Sequence, residues 1–141
     1  IWSEGAIYNI GFENGIRTWR KFLKNSGFLA FSEISWITEE RPKEIEDYWN
    51  AEYPEINTAQ NKIRILEENG YEPIGFFFLE PSSWSVTYYE PLENRFDSFL
   101  KRHGYTEPAR NIVEEHQREI ELFNRFKDYF SYGFYVAQKN E

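Results

Sequence analysis

The hydrophobic positions of the chain have a helical period near its beginning. Four apolar residues recur every three or four positions: Phe12, Ile16, Trp19 and Leu23. This spacing is typical of one face of an α-helix, and we expect the helix to run from Glu13 to Lys24. Asn25-Ser26-Gly27 follows as a turn of the kind that ends helices.

The next stretch is predicted to be a buried strand. Residues 28–31 are apolar at every position, and a strand covered by helices on both faces has this pattern. Polar residues occur only as the strand ends, in residues 32–36. Because ligands bind at the carboxyl ends of strands in open α/β sheets, Glu33, Ser35 and Trp36 are candidates for a site.

A charged, aromatic excursion follows, from Glu39 to Tyr53, in which Pro42 can start a short helix. Asn57 or Thr58 can cap the next helix, which ends near residue 70. The buried side of that helix is predicted to carry Ile63 and Leu66.

The remaining pattern continues the order of strand, loop and helices. Residues 73–79 predict a second buried strand, and residues 80–89 a polar, aromatic loop. Pro91 begins a helix that stops at Gly104. A long helix follows from Glu107 or Pro108, and residues 131–138 alternate as a final strand. The buried side of the long helix is predicted to carry Ile112, Val113, His116, Ile120 and Phe123.

The order of loop, helix, strand, helices, strand, helices and strand is α/β in character. No repeat, linker-like stretch or low-complexity segment interrupts residues 1–141, so we expect a single domain. Three strands make a thin sheet for so many helices.

Composition narrows the range of partners. The chain carries 16 basic and 24 acidic residues, a net charge of −8, and so lacks the basic surface that nucleic acid requires. No apolar run approaches the ~20 residues of a membrane span, and no leader resembles a signal peptide. The absence of cysteine excludes a disulfide framework and a thiol nucleophile. We therefore expect a soluble, cytoplasmic protein with neither nucleic acid nor membrane as a partner.

No local motif defines a reaction. The two histidines, His103 and His116, fall within or at the end of helical patterns, so a transition-metal site is not expected. The glycines form neither a dinucleotide-binding fingerprint nor a phosphate-binding loop. No Gly-x-Ser-x-Gly stretch presents a serine nucleophile.

Two loops remain as candidate sites. In the first, Gly5 permits close approach of the backbone to a ligand, and Glu4 and Asn9 can bind hydroxyls or an amine. The alternative for this loop is a strand-to-helix turn without a ligand. The second loop carries an aromatic cluster that either forms a pocket wall or packs over the core: Trp84, Tyr88 and Tyr89.

Residues 1–36 closely resemble the second half of class I S-adenosylmethionine-dependent methyltransferases. In that family, Trp-Arg-x-x-Leu-Lys-x-x-Gly leads from the helix after strand four to strand five, which carries Leu-Ala-x-Ser-Glu. The matching positions are Trp19, Arg20, Leu23, Lys24, Gly27, Leu29, Ala30, Ser32 and Glu33. The insertion after residue 38 and the Trp…Tyr-Tyr loop are also similar to a small-molecule branch of the family.

The resemblance implies the C-terminal half of a Rossmann-like methyltransferase sheet. The family's strand order is 3-2-1-4-5-7-6, with strand seven antiparallel; this chain would hold the block 5-7-6 and a remnant of strand four. The first three strands, the glycine-rich cofactor loop and the ribose-binding acidic residue would lie before Ile1. Residues 38–56 would be a helical insertion, and residues 80–131 the substrate-side loop and helices.

Such a fragment would leave an edge of the sheet unpaired along residues 28–36. Unpaired edges recruit other chains. We therefore expect either a homodimer through this edge or shielding of the edge by the N-terminal residues.

The resemblance also implies a function: a methyltransferase acting on a small molecule, with S-adenosyl-L-methionine as cofactor. Ser3, Glu4 and Gly5 would lie beside the cofactor's methionine end. Glu4 is the first candidate for a general base and Glu33 the second. The substrate wall would comprise Tyr8, Asn9, Trp36, Trp84, Tyr88 and Tyr89. We expect the fragment alone to bind cofactor poorly and to be inactive.

The alternative is a non-enzymatic ligand-binding or regulatory module with an aromatic pocket. A scaffold or dimerisation domain would depend on the unpaired edge alone. The coding sequence upstream of Ile1 would discriminate between the enzyme and the module: a strand followed by a glycine-rich turn and an acidic residue favours the enzyme, and a start codon just before Ile1 favours the module. Titration with S-adenosylmethionine tests the methyltransferase directly.

Overall fold

The strands form one sheet of mixed direction in the computed structural model, which describes residues 1–141. The chain divides into two compact units, one comprising residues 1–79 and 128–141 and the other residues 80–127. The first unit contains the whole sheet. The assignment of residues 80–131 to a substrate-side loop and helices stays a prediction.

The sheet has five strands, where the sequence predicts three and a remnant of a fourth at the N-terminus. They are β1 (Trp2–Glu4), β2 (Phe28–Trp36), β3 (Asn57–Thr58), β4 (Tyr71–Phe78) and β5 (Phe130–Lys139). Their order is β1-β2-β5-β4, with β3 paired to the end of β2. Strands β1 and β3 run parallel to β2, whereas β5 is antiparallel to both β2 and β4. Strand β1 lies where the remnant was predicted, whereas β3 was not predicted, because its two residues are too few to show a period in the sequence.

The predicted mixed α/β class with an antiparallel last strand is confirmed. The assignment of strands to positions four to seven of the family's sheet stays a prediction.

Three helices belong to the first unit: α1 (Phe12–Trp19), α2 (Lys43–Glu52) and α3 (Ala59–Glu68). Helix α1 ends earlier than predicted, because the chain tightens into a 3₁₀ turn at Arg20–Phe22. Helix α2 begins directly after Pro42. Thr58 caps α3, with its hydroxyl accepting a hydrogen bond from the Asn61 amide at 3.3 Å.

The core of the first unit lies between the sheet and helices α1 and α3. The Phe31 ring of β2 stacks on Tyr135 of β5 at 5.2 Å and contacts Phe12 of α1 at 5.6 Å. Helix α3 contributes Ala59 and Leu66 to the same cluster. Strand β2 is buried at every position after Phe28, which confirms the predicted burial of residues 29–31, but Phe28 itself is exposed, contrary to the prediction.

The other face of the sheet carries a row of rings that we call the aromatic ladder, formed by Trp2, Phe134 and Phe77. Phe134 lies between the other two, with ring centroids 5.2 Å from Trp2 and 5.4 Å from Phe77. The Trp2 side chain is 68% exposed and that of Phe77 is 55% exposed. Exposed apolar patches of this kind are a common mark of interaction surfaces.

The prediction that residues 73–79 form a buried strand is wrong. Strand β4 is the edge of the sheet, so Ile74, Phe76 and Phe77 are exposed. Its register with β5 shifts between Pro73 and Gly75, and edges and bulges are where sheets accept proline and glycine. In this chain, therefore, a run of apolar residues forms an edge strand and not a buried one.

The edge of β2 is covered by the N-terminal residues, one of the two arrangements predicted. Residues Trp2–Glu4 pair with 30–32, and the terminal amine of Ile1 donates to the Phe28 carbonyl at 2.7 Å. Strand β3 covers positions Ser35 and Trp36. Homodimerisation stays a prediction.

Most of the second unit is helical. Its elements are α4 (Pro81–Trp84), a π-helical turn (Ser85–Tyr89), α5 (Glu90–Glu93), α6 (Phe96–Arg102) and α7 (Glu107–Phe126). The predicted loop at residues 80–89 is therefore helical, and the helix predicted from Pro91 to Gly104 is broken at Asn94 and Arg95. No helix of the chain is both long and apolar enough to span a bilayer.

Helix α7 begins at Glu107 as predicted, but its buried stripe differs slightly. Val113, Ile120 and Phe123 are buried, whereas Ile112 is exposed. His116 is half-buried, and its Nδ1 lies 2.7 Å from the Ile112 carbonyl oxygen of its own helix. The actual stripe is extended by Leu122 and by apolar residues at both ends of the helix: Ala109 and Phe126.

Candidate functional site

The parallel pairing of β1 and β2 brings two candidate segments to one edge of the sheet. Glu4 ends β1 opposite Ser32, and Glu33 follows in β2. The chain then turns at Gly5, which has a φ of 51°, and the Gly5 amide donates to Ser32 Oγ at 2.9 Å. Carboxyl ends of parallel strands form the binding crevice of open α/β sheets. We call this edge the crevice.

Glu4 and its neighbours are accessible at the crevice. The Glu4 side chain is exposed, and its Oε1 accepts a hydrogen bond from Trp2 Nε1. Ser3 is half-buried. This segment therefore presents one carboxylate to solvent.

Tyr8 and Asn9 follow in the 3₁₀ turn Ile7–Ile10. The Asn9 side-chain amide donates to the Ala6 carbonyl at 3.0 Å, so part of its hydrogen-bonding capacity holds the turn. The half-exposed Tyr8 ring meets the Tyr53 ring edge-on, with centroids 6.4 Å apart.

Glu33 is buried, with 1% of its surface exposed. Burial raises the pKa of its carboxyl to about 7, against a lowering influence from Lys62 and Tyr53 and a raising one from Glu55. Its Oε2 has no hydrogen-bond partner. The Tyr53 hydroxyl lies close enough to influence this carboxyl but makes no hydrogen bond of ordinary geometry. A carboxyl that titrates near neutrality is suited to accept a proton.

Lys62 lies on the covered face of α3 and is completely buried. Its Nζ donates to the backbone oxygen of Glu55 at 3.3 Å and lies 4.2 Å from the centre of the Phe12 ring. Burial lowers the pKa of its ammonium to about 8, while Glu33 and Glu55 oppose that shift. A buried cation flanked by ring faces and carboxylates is held partly by cation–π attraction.

Tyr53 and Glu55 lie in the connection between α2 and α3. The Glu55 carboxylate accepts a hydrogen bond from the Phe12 amide, and a negative charge at a helix N-terminus is favourable. Burial, followed by the charge of Glu33, raises the pKa of Tyr53 well above its usual range. We call Glu33, Tyr53, Glu55 and Lys62 the Glu33 cluster.

The remaining candidate in the first unit is Trp36, which is buried at the end of β2. The guanidinium of Arg41 lies 4.4 Å from the centre of its ring.

Trp84, Tyr88 and Tyr89 lie in the second unit. The rings of Trp84 and Tyr89 are buried and contact Phe123, with centroids 5.3 and 5.2 Å away. The Tyr89 hydroxyl donates to Glu119 Oε1 at 2.9 Å. Tyr88 contacts Tyr89 and is half-exposed. Of the three rings, Tyr88 is the most accessible to a ligand.

Sequence reasoning identified Glu33 but missed its partners Tyr53, Glu55 and Lys62. A signal was present, because Ala59, Lys62 and Leu66 share one face of α3 at spacings of three and four residues. A lysine among apolar residues on one helix face has two explanations. Either a different face of the helix is the buried one, or the lysine is a buried charge with a partner. The stripe predicted instead ran through Ile63.

No sequence profile of a protein family matches the chain, and no curated protein matches it in sequence. Solved structures do match. The chain therefore has the fold of class I S-adenosylmethionine-dependent methyltransferases, as its sequence resemblance predicts.

One match is the S-adenosylmethionine-dependent methyltransferase of Geobacter sulfurreducens, in complex with S-adenosyl-L-homocysteine. Its TM-score is 0.79 and its sequence identity is 13%, and the match covers 99% of this chain and 57% of that one. Another is phosphoethanolamine N-methyltransferase 2 of Haemonchus contortus with S-adenosyl-L-methionine, with a TM-score of 0.73 and 15% identity over 99% of this chain and 33% of that one. The chain thus spans little more than half the length of the first and a third of the second.

A third match is the [4+2]-cyclase SpnF, with a TM-score of 0.71 and 15% identity over 99% of this chain and 48% of that one. Since these identities are low, the matches show the fold alone. A fold hosts more than one chemistry, and the activity has to be argued from the crevice.

Proposed function

We propose that this chain forms part of an S-adenosylmethionine-dependent methyltransferase acting on a small molecule, and that the crevice is its substrate side. The observation that carries the proposal is the parallel pairing of β1 with β2, which places Glu4 and Gly5 beside Ser32 and Glu33. The fold supports it, and so do the S-adenosyl cofactors in two of the matched structures.

The residues at the end of β1 fit the cofactor by their chemistry. When bound, S-adenosylmethionine supplies a methyl group on a positively charged sulfur. Glu4 offers an exposed carboxylate and Tyr8 an accessible ring, and both kinds of group attract a cation. Ser3 and the left-handed turn at Gly5 complete the proposed cofactor side.

The crevice would position the methyl acceptor and receive the proton that it loses. Glu4 and Glu33 are the two carboxyl groups proposed as base. Holding two reactants in the correct geometry supplies much of the rate in such a transfer. The proposed substrate side of the first unit comprises Tyr8, Asn9 and Trp36. The assignment of Trp84, Tyr88 and Tyr89 of the second unit to substrate binding stays a prediction.

The proposal is tested by calorimetric titration with S-adenosylmethionine, using the protein in its full encoded length. We expect binding, and we expect Glu4→Gln to weaken it about fivefold, since an accessible charge pair is worth on the order of 1 kcal/mol. Glu72→Gln, which removes an exposed carboxylate on β4, is the matched control and should leave the affinity unchanged. Failure of the unaltered protein to bind would overturn the proposal.

Transfer of a radiolabelled methyl group to a panel of small amines, alcohols, thiols and carbon acids would then define the acceptor. Binding of S-adenosylmethionine without transfer to any acceptor would favour the non-enzymatic ligand-binding module instead.

A further inference from the structure

The Glu33 cluster draws its members from three separate elements. Glu33 comes from β2, Tyr53 and Glu55 from the connection after α2, and Lys62 from α3. Glu33 and Lys62 are 1% and 0% exposed. The fold thus brings two ionisable side chains out of water beside β2, where Glu33 lies three residues before the end of the strand.

The hydrogen bonds within the cluster satisfy these groups only in part. The Lys62 ammonium makes one hydrogen bond, at 3.3 Å to the Glu55 carbonyl oxygen, and otherwise faces the rings of Phe12 and Tyr53. Glu33 Oε2 and the Tyr53 hydroxyl are buried without partners. Buried charges that are incompletely paired lower stability, so packing alone does not account for this arrangement.

Lys62 and Glu33 lie on the side of β2 that Phe12 covers: Lys62 Nζ is 4.2 Å from the centre of the Phe12 ring, and that ring contacts Phe31, two residues before Glu33. Lys62 is also the cation whose charge lowers the Glu33 pKa. The connection contributes the phenol of Tyr53 and the carboxylate of Glu55, and β5 contributes the phenol of Tyr135. Tyr135 is held by Ser35, with their hydroxyl oxygens 2.7 Å apart. An ionised Glu33 therefore depends chiefly on Lys62, with the Tyr53 phenol as a smaller support.

The cluster is connected to the surface of the crevice. Tyr53 contacts Tyr8, whose ring is half-exposed and follows directly after the Glu4–Gly5 turn. The contact between the two rings thus joins the cluster to an exposed residue of the crevice.

We propose that Lys62 is a positioning residue for Glu33: it holds that carboxylate ionised within β2, and Glu33 rather than Glu4 accepts the proton. The assignment of the proton rests on the proposed function. In the step, the proton of an acceptor O–H or N–H would pass to a Glu33 carboxylate oxygen, and the lone pair left on the acceptor would form the new bond to the methyl carbon. The bond between that carbon and the sulfonium sulfur would break at the same time, and its electron pair would stay on the sulfur, which leaves as a neutral thioether.

The link between Lys62 and Glu33 can be measured without any activity, by ¹³C NMR titration of the glutamate side-chain carboxyls. We expect the Glu33 signal, assigned by its loss in Glu33→Gln, to titrate near pH 7. Lys62→Met should move the midpoint to higher pH by at least about one unit, whereas Lys62→Arg, which keeps the charge, should hold it close to the original value. An unchanged midpoint in Lys62→Met would overturn the proposal.

A double-mutant cycle covers the case in which Lys62→Met is poorly folded. If Lys62 acts through Glu33, Lys62→Met should lower the urea concentration at the midpoint of unfolding. The double variant Glu33→Gln/Lys62→Met should largely recover that midpoint, because it no longer carries the uncompensated carboxylate. Equal, additive losses would mean that the two residues are independent and would overturn the proposal.

The pH dependence of methyl transfer by the full-length protein tests the assignment of the base. Lys62→Met should shift the acid limb of kcat to higher pH in parallel with the NMR midpoint, with KM little changed. A shifted midpoint with an unshifted acid limb would overturn the role of Glu33 as proton acceptor. If the unaltered protein bound no S-adenosylmethionine, the proposed function would fail, while the NMR titration would still decide whether Lys62 controls Glu33.

Discussion

Individual side chains in the core of the first unit carry polar groups that depend on a single partner. Tyr71, at the start of β4, is 1% exposed, and its hydroxyl donates to the Ile16 carbonyl of α1 at 3.0 Å. This bond ties the edge strand to the helix that covers the core. A buried acceptor left without its donor costs more free energy than an average hydrogen bond provides.

Tyr71→Phe should therefore lower the free energy of unfolding by about 1–2 kcal/mol, since the ring remains and only the hydroxyl is lost. Urea denaturation followed by far-UV circular dichroism measures the change. Tyr105→Phe removes a hydroxyl from a half-exposed ring and serves as the control. A loss as large in the control as in Tyr71→Phe would contradict the explanation.

For single residues, the sequence predicted the secondary-structure element of a side chain better than its burial. Glu33 could be placed at a strand end because polar residues follow the apolar run. Its burial could not be predicted, because that depends on Lys62, 29 residues later, and on Tyr53 in an excursion without a clear period. Charges that are distant in sequence meet only through the tertiary fold.

Secondary-structure elements in this chain depend unequally on their caps. Helix α3 begins with a capping bond from Thr58, whereas α7 begins at Thr106, whose side chain makes no such bond. The same residue type therefore has two different roles at the same helical position.

Thr58→Ala should lower the free energy of unfolding by about 1 kcal/mol, because the Asn61 amide loses its acceptor. Thr58→Ser keeps the hydroxyl and should retain most of the stability. Thr106→Ala is the matched control and should have a much smaller effect. Urea midpoints of the three variants measure these differences, and equal effects of the two alanine variants would refute the capping explanation.

Elements with a strong period were predicted well, and those without one were not. Strand β2 and helix α7 follow clear patterns and lie close to their predicted bounds. Strand β4 was assigned to the interior because an apolar run does not distinguish an edge from a centre. The turn Ser85–Tyr89 was assigned to a loop, because its serine and aromatic residues have no helical stripe.

Over the whole molecule, the Glu33 cluster should make stability depend on pH. The Glu33 pKa rises from its ordinary 4.5 to about 7 in the folded state, so the folded state binds more protons in that range and stability falls as the pH rises through it. The Lys62 pKa falls from 10.5 to about 8. The folded state then binds fewer protons in that range, and stability rises again above about pH 8.

We therefore expect a minimum of stability between about pH 7 and 8. Urea midpoints measured from pH 4.5 to 9 would show it. Glu33→Gln should abolish the decline between pH 4.5 and 7, whereas Glu72→Gln should preserve it. A decline that persisted in Glu33→Gln would assign the pH dependence to other groups.

The sheet order shows how far a resemblance in sequence can reach. It predicted the α/β class, the antiparallel last strand and the shielding of β2 by the N-terminal residues. It could not predict that the face opposite the core would carry the aromatic ladder, because that row joins residues from β1, β4 and β5 that are far apart in the chain.

The aromatic ladder also gives the protein an optical property. Of the five tryptophans, Trp2 is the one whose side chain is largely in water, while the other four are buried or half-buried. Indole fluorescence shifts to longer wavelength in polar surroundings, so Trp2 should dominate the red side of the emission spectrum. Any molecule that settles on the ladder would shift that component to the blue, and the protein would report the event through its own fluorescence, without an attached dye.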